Sequence, residues 1–128
     1  MAARLLPTAL VCCALIAAGC GDDSGNGSAA APADLTVKMS DYKFDPRDVS
    51  VAPGAVIRVT NEGEIAHNLK VERGPDPRQE TQELTGTDSF LPGDRETLEV
   101  DLPRGRYAMV CTVPGHRELG MTGSFRVK

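Results

Sequence analysis

Residues 107–121 read Tyr-Ala-Met-Val-Cys-Thr-Val-Pro-Gly-His-Arg-Glu-Leu-Gly-Met. The stretch begins as a strand in which Tyr107, Met109 and Cys111 share one parity, so the Cys111 thiol faces inward where that strand ends. It closes on another strand, where Met121, Gly123, Phe125 and Val127 share one parity and Met121 faces inward at the start. Five extended steps would carry His116 about 17 Å from Cys111, and Pro114-Gly115 supplies the turn that folds the chain back. Cys111, His116 and Met121 thus stand at even spacing around one loop between two strands. One soft thiolate with imidazole and a weak thioether suits copper better than any other common metal.

A fourth donor has to come from elsewhere. The chain has two histidines, so the candidate is His67. It follows the turn Asn61-Glu62-Gly63-Glu64 in the segment Ala66-His67-Asn68-Leu69-Lys70-Val71, with the parity of Leu69 and Val71. Its imidazole therefore points to the core side of its strand. Taken singly, a core histidine is more often a hydrogen-bonded structural residue, and a lone buried Met or Cys is more often core filler. Those readings do not explain all four side chains and the Pro-Gly turn together.

Working outward, the same period of two recurs. Leu35, Val37 and Met39 alternate with Thr36, Lys38 and Ser40, and Val49 and Val51 precede a Pro53-Gly54 turn. Ile57 and Val59 alternate with Arg58 and Thr60, and Leu98, Val100 and Leu102 alternate with Thr97, Glu99 and Asp101. Past the N-terminal segment, no stretch of helical length has a 3.6-residue apolar period. The pattern predicts an all-β domain over residues 35–128, a two-sheet sandwich. Leu102-Pro103-Arg104-Gly105-Arg106-Tyr107 reads as a tyrosine corner, in which the hydroxyl bonds back to nearby backbone. Glu72 to Ser89, charged and punctuated by Pro75, Pro77 and Gly86, reads as a long loop with a short strand or helical turn. Partner choice is the only role it suggests.

Residues 1–19 have a basic start at Arg4, an apolar run from Leu5 to Ala18 and small residues at the end, which is a secretory signal pattern. The run is shorter than the roughly 20 residues that a spanning helix needs. Ala17-Ala18-Gly19-Cys20 is similar to the lipobox of bacterial lipoproteins, which implies acylation at Cys20 and a membrane anchor. Ordinary signal cleavage is the alternative. Residues 20–34 are small and polar, a flexible linker. The expected address is the outer face of the cell membrane or the periplasm. Of four cysteines, Cys12 and Cys13 lie in the signal and Cys20 at its end, which leaves Cys111 alone in the domain. A disulfide within the domain is excluded, and a lone thiol in an oxidising compartment fits a metal-held thiolate.

Formal net charge is −4 with both signs interspersed, and there is neither a basic stripe nor an aromatic platform, so nucleic-acid binding is not expected. Two histidines, both among the candidate donors, leave none for a further histidine-rich metal site, and the domain has no second cysteine to bridge two ions. Enzymatic function is therefore not expected.

The pattern His67-Asn68 … Tyr107-x-x-x-Cys111-x-x-Pro114-Gly115-His116-x-x-x-Gly120-Met121 resembles the cupredoxins, the type 1 blue copper proteins of plastocyanin and azurin type. Its Cys-x4-His-x4-Met spacing is most similar to auracyanin- and sulfocyanin-like members. The resemblance implies an eight-stranded Greek-key sandwich, one type 1 copper ion and single-electron transfer. It implies His67 and His116 as imidazole ligands, Cys111 as the thiolate and Met121 as the long axial ligand. Asn68, with Thr112, takes the position that ties the ligand loops together and supports the cysteine sulfur. It further implies an electron exit through an exposed His116 ring edge, inside an apolar patch of Pro114, Gly115, Leu119 and Leu91-Pro92. The partners would be redox proteins, either cytochromes or membrane oxidoreductases, met by a monomer. Two alternatives stay open: an extracytoplasmic copper-delivery protein, and an immunoglobulin-like binding module with an accidental donor set.

Overall fold

Alternating sequence becomes strand wherever one face can be buried, and the computed structural model, which describes residues 32–128, has nine strands there. They are β1 (Leu35–Ser40), β2 (Lys43–Asp45), β3 (Asp48–Val51), β4 (Val56–Asn61), β5 (Lys70–Arg73), β6 (Glu83–Gly86), β7 (Arg95–Glu99), β8 (Gly105–Val110) and β9 (Thr122–Val127). One sheet runs β2-β1-β4-β7 and the other β3-β9-β8-β5-β6. Both are mixed: β1 lies parallel to β4 and β3 parallel to β9, while the remaining neighbours are antiparallel. The all-β sandwich is as the alternation predicts. The secretory signal, the Cys20 site and most of the linker fall outside the described residues.

The period of two fills the space between the sheets. Val37, Met39, Ile57, Val59 and Leu98 come from the first sheet, and Val71, Met109, Phe125 and Val127 from the second, all buried. Burying a side chain of this size contributes roughly 1.5–3 kcal/mol. Gly123 lets β9 approach its neighbours: a β-carbon there would press on the Arg47 carbonyl and come within 2.7 Å of Met109 Cε. The corner before β8 forms as expected, with the Tyr107 hydroxyl donating to the Pro103 carbonyl at 2.6 Å.

One segment departs from the sequence expectation and another meets it. His67 is not inside a continuous strand. It forms an isolated bridge with Phe90, exchanging backbone bonds of 3.3 and 3.0 Å, and regular pairing begins only at Lys70. Glu72 to Ser89 is the loop with a short strand that its composition suggests. Its first two residues end β5, Glu83–Gly86 form β6, and Glu72 is buried. A register shift between β5 and β6 leaves Leu84 as an extra residue on β6, while β5 stays in regular register with β8, so Val71 faces the core and Glu72 is buried on the opposite face.

Candidate metal centre

Three loops at one end of the sandwich converge on His116. Cys111 leaves β8 facing the core, and its N–H donates to the Met121 carbonyl at 3.1 Å, which closes the ligand loop at its base. Within the loop, His116 N–H bonds Val113 carbonyl at 3.0 Å and Met121 N–H bonds His116 carbonyl at 3.0 Å. Gly115 and Gly120 take positive φ of 84° and 95°, a conformation that costs glycine little. These turns do what Pro114-Gly115 was expected to do: they bring His116 back over Cys111.

The donor atoms are close. His67 Nδ1 lies 3.1 Å from His116 Nδ1, which in turn lies 3.4 Å from Cys111 Sγ. The three donors fall within 4.8 Å of one another. His67, Cys111 and Met121 are 0% exposed and His116 6%.

This donor set fits a metal. A tetrahedral ion at about 2.0 Å from nitrogen and about 2.3 Å from sulfur holds two nitrogens roughly 3.3 Å apart, and a nitrogen and a sulfur roughly 3.5 Å apart, close to the distances seen. The tautomer of His67 is settled by its neighbour. Nε2 lies 3.1 Å from Asp41 Oδ1, and a carboxylate can only accept, so Nε2 carries the hydrogen and neutral His67 keeps its lone pair on Nδ1. That lone pair faces His116 Nδ1 in a buried site, where a shared cation would bridge the two nitrogens.

Electrostatics agree. Burial pushes the Cys111 thiol up from its ordinary value, while the backbone N–H groups of Asn68 and Val113 aim at the sulfur and oppose that rise. Burial, and then the nearby His67, hold His116 below the usual imidazole range. A neutral imidazole and a thiol that surrenders its proton to a cation are what metal binding asks for.

The frame around the donors is largely polar and fully bonded. Asn68 Oδ1 accepts from Thr112 N–H at 2.8 Å, and Asn68 Nδ2 donates to Thr112 Oγ1 at 3.0 Å and to Ser89 Oγ at 3.3 Å. These bonds tie the His67 segment to the residue after Cys111. Asn61 Nδ2 donates to the carbonyls of Ile65 and Phe90 at 2.9 and 3.0 Å, fixing the two segments that bridge at His67.

Sequence reasoning missed Asp41 and Tyr42, which lie on the β1–β2 turn. Asp41 is held by Glu64 N–H at 3.0 Å while it accepts from His67. Those two contacts, the Glu64 amide first, keep its carboxyl below the usual carboxylate range. Tyr42, at φ 64°, packs edge-on to His116 with ring centroids 5.2 Å apart. This corrects the expectation of an exposed His116 edge: Tyr42 stands against the ring, which is buried to 6% exposure. A Ser-Asp-Tyr-Lys turn would have been the signal, but nothing in the local sequence says which end of the sandwich a turn reaches.

The chain matches the family of copper binding proteins described as plastocyanin/azurin over residues 31–128. No curated protein matches it. Among solved structures it is similar to a dithionite-reduced auracyanin from the photosynthetic bacterium Roseiflexus castenholzii, at 20% identity and TM-score 0.65, covering 73% of this chain and 95% of that one. It is similar to auracyanin A, a "blue" copper protein of Chloroflexus aurantiacus, at 21% identity and TM-score 0.58, covering 73% and 98%. A purple cupredoxin from Nitrosopumilus maritimus matches at 18% identity and TM-score 0.58, covering 74% and 100%. At these identities the likeness is one of fold.

Proposed function

This chain belongs to the plastocyanin/azurin family of copper-binding proteins, and on that premise we propose that it carries single electrons between redox proteins. The cofactor is one type 1 copper ion. We assign His67, Cys111 and His116 as the strong ligands and Met121 as the weak axial one. When bound, the ion supplies a one-electron Cu(I)/Cu(II) couple.

The observation that carries the proposal is the arrangement of the donors. Nδ1 of His67 and of His116 and Sγ of Cys111 stand 3.1–3.4 Å apart along the chain of contacts, in a buried pocket. Cu(I) and Cu(II) prefer different geometries, so a carrier gains speed from a frame that resists rearrangement. Here Asp41 fixes the plane of His67, Asn68 links both ligand segments, and backbone bonds lock Cys111 to Met121. Delivery of the ion to another protein would call for accessible donors, and all four of these are buried.

The docking face also supports the reading. The exposed large apolar side chains among the described residues are Tyr42, Ile65, Leu91 and Leu119. Each belongs to a segment that carries or touches the site: Tyr42 lies against His116, Ile65 precedes His67 by two residues, Leu91 follows Phe90, and Leu119 is in the ligand loop. A redox partner would meet this patch over a small interface, below about 1,200 Å². Transfer through His116 then crosses or skirts the Tyr42 ring. Adding one equivalent of Cu(II) to the metal-free protein and following the visible spectrum through reduction and reoxidation tests the proposal.

A further inference from the structure

Composition suggests only partner choice for the segment after Glu72, yet the structure ties it to the ligand loop. Arg117, the residue after His116, reaches Glu72 of β5 with both terminal nitrogens: Nη2 donates to Oε1 at 2.5 Å and Nη1 to Oε2 at 3.1 Å. Nη1 also lies 2.9 Å from the Pro77 carbonyl and 3.3 Å from that of Gln79. The side chains are 3% exposed for Glu72 and 15% for Arg117. This is a paired, multiply bonded charge under the surface rather than a solvated ion pair.

Its position gives it a purpose. Glu72 pairs with Ala108 across the sheet, on the face opposite the core, where Ala108 and Val110 are nonetheless wholly buried. Pro77 shares a surface groove with Gly123 and Ser124 of β9, so the 74–82 segment lies along that outer face. Arg117 joins this covering layer to the ligand loop. The loop is already pinned at its start by Asn68 on Thr112 and at its end by the Cys111–Met121 bond. Between those pins, the segment holding His116 is bracketed by Gly115 and Gly120, both at positive φ and both conformationally permissive. Arg117 is the residue of that bracketed segment whose side chain is bonded to β5 and to the 74–82 segment.

We propose that Arg117, seated on Glu72 and the carbonyls of residues 77 and 79, is a positioning residue that locks His116 over Cys111. The 74–82 segment is then part of the metal site's frame. The inference rests on the copper reading for its functional meaning, and its first test does not need copper.

The test uses the full chain as wild type, Arg117→Met, and the double variant Glu72→Met/Arg117→Met. The double variant leaves no lone buried charge, so it keeps the comparison usable if the single variant folds poorly. Amide exchange is measured on metal-free protein, then Cu(II) affinity and the visible spectrum on loaded protein. The proposal predicts amide exchange at least ~10-fold faster over residues 113–120, with β8 and β9 unchanged. It also predicts Cu(II) affinity lower by about 10–100-fold and a shifted visible spectrum, as for other residues that orient metal ligands. Folded variants with wild-type exchange, affinity and spectrum would overturn it. Faster loop exchange in a chain whose wild type takes up no copper would support the lock and reject the copper reading.

Discussion

Asn68→Ala tests whether the two ligand segments are truly joined. The substitution removes three hydrogen bonds: one accepted from Thr112 N–H and two donated to Thr112 Oγ1 and Ser89 Oγ. At about 1 kcal/mol net each, that is roughly 3 kcal/mol. An orphaned buried amide would add about 1–3 kcal/mol, but the Thr112 side chain is exposed, so water can recover part of the loss. The balance is a destabilisation of about 2 kcal/mol, which for a domain of this size lowers the midpoint of thermal unfolding by roughly 10 °C. Urea unfolding of metal-free protein is the assay, because bound metal would mask the change by favouring the folded state. Thr112→Val removes only the hydroxyl contact. Its effect should couple to Asn68→Ala by about 1 kcal/mol in a double-mutant cycle. A loss below about 0.5 kcal/mol with no coupling would refute the idea that Asn68 bridges these segments.

Gly63→Ala should weaken copper binding by about tenfold, because a β-carbon there would stand 2.9 Å from His67 Nε2 and crowd Asp41 Oδ1; an unchanged affinity would show that the Asp41 contact orients nothing. Met121→Gln should keep the copper and lower the reduction potential by at least one ~59 mV step, a tenfold change in a one-electron equilibrium, and an unmoved potential in voltammetry would remove Met121 from the ligand set. Leu119→Asp should leave the visible spectrum alone and slow electron exchange with a redox partner protein about tenfold, the size expected when one anchor residue is lost. Equal rates would take Leu119 out of the docking face.

Much of the core was legible because burial imposes a period. Once Cys111 was placed at the end of an alternating strand, the parity of Leu69 and Val71 put His67 on the same side, and Met121 followed from Phe125 and Val127. The Tyr107 corner was legible for a similar reason: a turn next to a strand leaves few places for the hydroxyl to bond. The frame around the donors was harder to read. Asp41 and Tyr42 occupy a turn whose composition is ordinary, and their reach to His67 and His116 depends on how two loops distant in sequence meet. Glu72 and Arg117 are 45 residues apart and both are charged. Charge usually signals solvent, and only the covering 74–82 segment turns that expectation around.

The central claim is that a buried thiolate and two imidazoles hold one copper ion through both oxidation states. Titrating metal-free protein with Cu(II) tests it most directly, with visible absorption and bound copper followed through one cycle of reduction and reoxidation. The account predicts an intense colour that saturates at one equivalent, bleaches on reduction, returns on reoxidation with the copper retained throughout, and is absent in Cys111→Ser. Absence of colour, colour that survives in Cys111→Ser, or copper released on reduction would contradict it.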